Sequence, residues 1–270
     1  MTVEILPKRQ LGDTGLLVSS LGLGTVKFGR NSGVKYPSSF KLPNDDAVRN
    51  IIAMCKERGV NLIDTAPAYG HSEERLGQLL TDRKDWLICT KVGEEFDSSG
   101  SYFDFSAKHT KHSIERSLKR LRSDYLDIVL VHSDGNDMDI IEKTDCFETL
   151  QRLKEEGLIR AFGMSTKTAE GGLATLKHSD MAMVMYNSSY ADEESVIDYA
   201  RSHRKGIFVK KALNSGHAVS GSQNEEDPVK TNLEFIYSHA GVSSVIIGSI
   251  NTVHMSHNID AAISAQTTSY

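Results

Sequence analysis

The stretch Asn61-Leu62-Ile63-Asp64-Thr65-Ala66-Pro67-Ala68-Tyr69-Gly70, followed by Ser72-Glu73-Glu74-Arg75-Leu76-Gly77, holds the pattern that decides the fold. A short apolar run ends in a carboxylate. A loop stiffened by Pro67 follows. Then comes a helical segment that opens on a Ser and two acids, a favourable first turn. This order of strand, loop and helix recurs along the whole chain. The apolar runs are 20–25, 61–64, 86–91, 126–132, 159–165, 182–186, 206–210 and 244–248. The helical candidates are 45–58, 72–80, 110–121, 146–156, 168–176, 193–202, 229–239 and 253–262. In the first of these, Ala47, Val48, Ile51, Ile52 and Cys55 share one face and Gly59 is the stop.

Eight alternating units predict an α/β protein, a closed (β/α)8 TIM barrel that takes up residues 1–270 as one domain. The structural competitor is a doubly wound open sheet with a G-x-G-x-x-G turn. Leu21-Gly22-Leu23-Gly24-Thr25 matches that turn only in part, and no acidic residue ends a strand about 20 residues later. The stretch therefore reads as a tight first strand. Ahead of it, Leu11-Gly12-Asp13-Thr14-Gly15-Leu16 predicts an N-terminal β-hairpin that plugs the barrel bottom. Two long loops follow, 28–44 with Gly29, Gly33 and Pro37, and 93–108 with Phe96, Tyr102, Phe103 and Phe105. Those aromatics either wall a pocket or pack as a loop core, and packing is the preferred reading.

Composition narrows the function. With 39% hydrophobic and 25% charged residues, collagen-like and disordered chains drop out. The longest uncharged stretch, 240–259, is broken by Ser, Asn and His and makes a poor membrane span. A net charge of −5 speaks against a nucleic-acid partner. Residues 1–10 carry charge and a proline where a signal peptide needs an apolar run. Cys55, Cys89 and Cys146 fit neither a disulfide framework nor a zinc site, and read as buried reduced thiols of a cytoplasmic protein. No metal site is expected.

In a (β/α)8 barrel, reactive residues at the C-terminal strand ends read as catalytic. Asp64, Lys91 and His132 end three adjacent strands, and Tyr69 follows Asp64 by five residues. Such a set supports proton transfer to or from an oxygen. A Lys ammonium stabilises a phenolate, a carboxylate keeps a buried Lys charged, and an imidazole orients a carbonyl. Carbonyl reduction also needs a hydride, which no side chain supplies and a nicotinamide does. Taken singly, each residue has a plainer role: Asp64 as a helix cap, Lys91 as a rim residue, His132 as a structural histidine, Tyr69 as a loop anchor. The joint arrangement carries the case.

At these residues the chain resembles the aldo-keto reductases. The matching motifs are Leu62 to Gly70 as quoted, Ser72-Glu73-Glu74-x-Leu76-Gly77, Thr90-Lys91-Val92-Gly93, Ser117-Leu118-Lys119-Arg120-Leu121 with Asp124-Tyr125-Leu126-Asp127, and Val131-His132. The resemblance runs over 9–262. It implies an NAD(P)H-dependent reductase of aldehydes and ketones, or the reverse reaction. Its catalytic residues are Asp64, Tyr69, Lys91 and His132, with Tyr69 the proton donor. The alternative it implies is a cofactor-binding regulatory subunit with little turnover, as in potassium-channel β-subunits. The cofactor positions it implies are Thr25, Asp64, Ser165, Lys210, Leu213, Gly248, Ser249, Asn251, His254 and Asn258. NADP(H) is the family habit and NAD(H) the alternative, because His254 stands where a common relative has Arg. Thr166 and Met183 replace the amide side chains that typically hold the carboxamide, and Lys210 stands where many relatives stack a Tyr. The expected substrate is a small carbonyl or alcohol.

Overall fold

The computed structural model describes residues 4–34, 39–213 and 227–267. Pro37 lies outside the described residues. An antiparallel hairpin of β1 (Lys8–Gln10) and β2 (Leu17–Ser19) leads into the barrel, as expected. The barrel is closed and its eight strands are parallel. In order around the ring they are β3 (Leu21–Gly24), β4 (Leu62–Asp64), β5 (Leu87–Val92), β8 (Leu126–His132), β9 (Ile159–Ser165), β10 (Met181–Met185), β11 (Gly206–Lys210) and β12 (Ser244–Ile247). Each agrees with its apolar run to within one residue at either end. No open-sheet edge exists among these strands, so the doubly wound alternative falls.

Between β5 and β8, the loop over 93–108 carries a second antiparallel ribbon, β6 (Glu94–Asp97) and β7 (Gly100–Phe103), which alternation of apolar residues did not predict. The helices are α1 (Val26–Gly29), α2 (Asp45–Glu57), α3 (Ser72–Leu79), α4 (Ala107–Leu121), α5 (Asp137–Lys143), α6 (Cys146–Glu155), α7 (Ala169–His178), α8 (Glu194–Ser202), α9 (Pro228–Tyr237) and α10 (Thr252–Thr267). Local chemistry sets their ends. The Asn44 side chain accepts from Ala47 N and caps α2, and Gly59 ends it with φ 84°. Ser106 accepts from His109 N, so α4 begins at Ala107 rather than at residue 110.

Two layers of core hold the barrel. Inside, Leu62, Cys89, Ile128, Leu130, Met181 and Phe208 pack with Leu11, Leu16 and Val18 of the hairpin. Leu11 and Leu16 therefore stopper the N-terminal end of the barrel. Outside, a larger cluster fills the space between strands and helices. Gly22 sits where bulk is excluded, since a Cβ there would lie 2.7 Å from Ile246 Cδ1 and 2.9 Å from Leu62 Cδ2. The three cysteines are buried and free, and burial pushes the Cys55 and Cys146 thiols up to about 12. No helix among the described residues is long and apolar enough to cross a membrane.

Candidate active site

Parallel pairing puts the strand ends at one rim. Gly24 pairs with Asp64, Lys91 with Leu130 and His132 with Ser165. There a cavity of about 930 Å³ opens, and Asp64, Tyr69, Lys91 and His132 all line it. Lys91 is 2% exposed. Its Nζ donates to Asp64 Oδ1 at 2.6 Å and to the Thr65 carbonyl at 2.8 Å. Burial is the largest single influence and disfavours the ammonium, but Asp64, Tyr69 and Cys89 together outweigh it and the net shift of Lys91 is upward. That ammonium lies 4.9 Å from the centre of the Tyr69 ring.

The Tyr69 backbone is fixed by a single turn of tight helix, Pro67–Tyr69, which ends at Gly70 with φ 60°. A Cβ on Gly70 would lie 2.2 Å from the Gly29 carbonyl oxygen, and one on Gly29 would lie 2.2 Å from the Tyr69 carbonyl oxygen. The loops after β3 and β4 thus meet backbone to backbone. Thr25 ties the same corner, its Oγ1 donating to the Asp64 carbonyl at 2.8 Å. The Tyr69 and His132 rings stand edge to face, 6.3 Å apart. Behind His132, Nδ1 lies 2.7 Å from Glu94 Oε2 of β6. Burial would raise the Glu94 carboxyl, but His132, Ser101 and Arg30 pull it down to about 2.

The expected cofactor positions divide. Thr25, Ser165, Lys210, Leu213, Gly248, Ser249, His254 and Asn258 line the cavity, as Asp64 does. Asn251 does not line it. Its Oδ1 accepts from Val253 N and His254 N, so Asn251 caps α10. The cap occupies two of the amides expected to face an anion. Lys210 is no solvated strand end. Its Nζ donates to Ser165 Oγ at 2.8 Å and to the Thr166 carbonyl. Burial pushes Lys210 down to about 8, against the pull of Glu193. Glu193 is itself 1% exposed and burial pushes its carboxyl up.

The aromatics of the second long loop do not line this cavity among the described residues. The Arg30 guanidinium covers Phe96, 3.4 Å from the ring centre, Phe105 packs on the core, and Tyr102 and Phe103 face outward. The packing reading therefore holds for Phe96 and Phe105. Phe40, from the first long loop, lines the cavity instead. Sequence reasoning missed Phe40, Glu94 and Glu193. Only Glu94 carried a signal, as an acid three residues beyond Lys91.

An anionic dinucleotide fits this cavity. Five lysines line it, Lys27, Lys91, Lys167, Lys210 and Lys211, against the carboxylates of Asp64, Glu193 and Asp227, so its walls are net positive in a net negative chain. A family model described as the aldo/keto reductase family matches residues 20–234. The chain is 53% identical to a solved Pseudomonas aeruginosa protein classed provisionally as an aldo-keto reductase, over 98% of each chain and with a TM-score of 0.88. It is 27% identical to an uncharacterised oxidoreductase of Bacillus subtilis, over 94% of this chain and 90% of that protein. It is 28% identical to an NADH-specific methylglyoxal reductase of Escherichia coli, over 78% of this chain and 68% of that protein. The chain belongs to the aldo-keto reductases, a family of NAD(P)H-dependent oxidoreductases.

Proposed function

We propose that the protein interconverts a small aldehyde or ketone and its alcohol, with Tyr69 as the proton donor. The observation that carries this reading is the pinned ammonium of Lys91, held by Asp64 and Thr65 beneath the Tyr69 ring. The bound nicotinamide supplies or takes the hydride. Tyr69 gives its proton to the oxygen that becomes negative, and Lys91 stabilises the phenolate left behind. Asp64 keeps Lys91 charged, and His132 orients the oxygen.

Ser165, Lys210, Ser249, His254 and Asn258 hold the cofactor. An ammonium carries three hydrogens. With two of those of Lys210 on Ser165 and Thr166, the third is the donor we assign to the carboxamide oxygen, in place of the missing amide side chains. NADP(H) is the first dinucleotide to test and NAD(H) the second, since one relative is NADH-specific. Methylglyoxal, the substrate in that relative's name, is the first carbonyl.

Tyr69→Phe is expected to lower kcat about a hundredfold or more while leaving the dinucleotide dissociation constant within about threefold. Stopped-flow turnover and fluorescence titration measure the two. A Phe variant at full rate removes Tyr69 from the role.

A further inference from the structure

Lys210 puts a primary amine on the cavity wall, and its surroundings are not those of an ordinary lysine. Its Nζ donates to Ser165 Oγ at 2.8 Å and to the Thr166 carbonyl, and no further hydrogen-bond partner of Nζ lies among the described residues. A tetrahedral nitrogen bonded to Cε and donating two hydrogens has one position left. In the ammonium that position holds the third hydrogen, and in the neutral amine it holds the lone pair. Glu193 meets Lys210 at Thr166. Its Oε2 accepts from Thr166 Oγ1 at 3.3 Å, and its Oε1 accepts from Met185 N at 3.1 Å. The other charged groups that face Lys210 are Lys167 after β9, its neighbour Lys211, Asp137 of α5 and, across the rim, His132 of β8. Of the two carboxyls, Glu193 lines the cavity and Asp137 does not. Burial pushes Lys210 down and Glu193 up, so both environments favour a neutral amine beside a protonated carboxyl.

We propose that Lys210 is a covalent capture site for small aldehydes in the dinucleotide-free enzyme, condensing with the carbonyl carbon to form an imine. The amine lone pair adds to that carbon, and a C–N bond forms as the C=O π bond opens. The nitrogen then gives up two hydrogens, the oxygen leaves with them as water, and C=N stands where C=O was. Nothing is oxidised or reduced. Glu193 is the cavity-lining carboxyl beside the nitrogen that can give a proton to the departing hydroxyl and take one back. Bound dinucleotide closes the site, because the same position of the nitrogen then donates to the carboxamide oxygen. The choice of an aldehyde rests on the oxidoreductase reading, whereas the amine and its open position do not.

The test traps the imine. Dinucleotide-free enzyme is incubated with propanal and sodium cyanoborohydride, which reduces an imine to a stable secondary amine, and peptide mass spectrometry gives the alkylation rate at each lysine. Exposed Lys84 is the internal reference. At about pH 7.5, Lys210 is expected to be alkylated roughly tenfold or more faster than Lys84. Above about pH 8, where Lys210 is already neutral and Lys84 still titrates, the ratio of the two rates is expected to fall about tenfold per pH unit. Saturating dinucleotide is expected to slow Lys210 about tenfold and leave Lys84 unchanged. Equal rates at the two lysines, a ratio that does not change with pH, or alkylation of Lys210 that dinucleotide leaves untouched overturns the proposal. Turnover of propanal, followed by dinucleotide absorbance, is measured separately. Failure to turn over any carbonyl sinks the oxidoreductase reading, and the alkylation rates still decide the role of Lys210. Turnover without selective alkylation sinks the capture site alone.

Discussion

Lys210 shows how far one residue can be read from sequence. Its position after a strand and its departure from the family pattern were visible, and its bonds to Ser165 and the Thr166 carbonyl were not. Those bonds depend on the register of β9 and β11, strands not adjacent in the ring. Lys210→Met is expected to weaken dinucleotide binding roughly tenfold or more, the worth of one charge-assisted hydrogen bond. The ammonium is the donor, so wild-type affinity should fall as pH rises through about 8, and the Met variant should not follow it. Fluorescence titration on either side of that value checks both. Asp64, Tyr69, Lys91 and His132 were legible as a set because each ends a strand, or follows one closely, within three short motifs. Glu94 and Glu193 were not, because they reach the site from a ribbon and from the start of α8, across distances that no sequence spacing encodes.

At the scale of elements, the strands were legible because a fully buried parallel strand is a compact apolar run with turn residues on either side. Short amphipathic or polar pieces were not. The α5 helix, over Asp137–Lys143, is anchored by the Asp137 carboxylate, which accepts from Lys167 N, Thr168 N and Thr168 Oγ1. Its stability comes from a neighbouring loop rather than from its own periodicity. Asn251 is the instructive case at the start of α10. As a cap it predicts that Asn251→Ala costs about 1 kcal/mol, a drop in Tm of roughly 2–4 °C, with dinucleotide affinity within about twofold of wild type. Thermal unfolding with and without dinucleotide separates this from a contact residue, whose loss would leave the free protein's Tm unmoved and weaken binding.

For the whole molecule, the eightfold alternation decided the architecture, since parallel strands with helical crossovers leave few ways to bury both faces of each strand. The hairpin then supplies what the barrel lacks at its N-terminal end, an apolar stopper. Leu11 is fully buried against interior side chains at the opposite end of the strands from the candidate site. Leu11→Ala is expected to cost about 2–5 kcal/mol while leaving kcat within about twofold at 25 °C. Urea unfolding and turnover measured on the same preparation check the pair. A large loss of kcat in a variant that is still folded would show that the two ends of the barrel are coupled.

The backbone junction of Gly29 and Gly70 has an evolutionary consequence. Where main chain meets main chain at this spacing, no substitution can be traded for another, since any side chain at either glycine would collide. The loop after β3 therefore has a locked root at Gly29. Side chains farther along it, such as Phe40, can be exchanged one by one as a lineage moves to a new substrate. Because the root is fixed by two glycines rather than by a side chain, those exchanges leave Tyr69 in register.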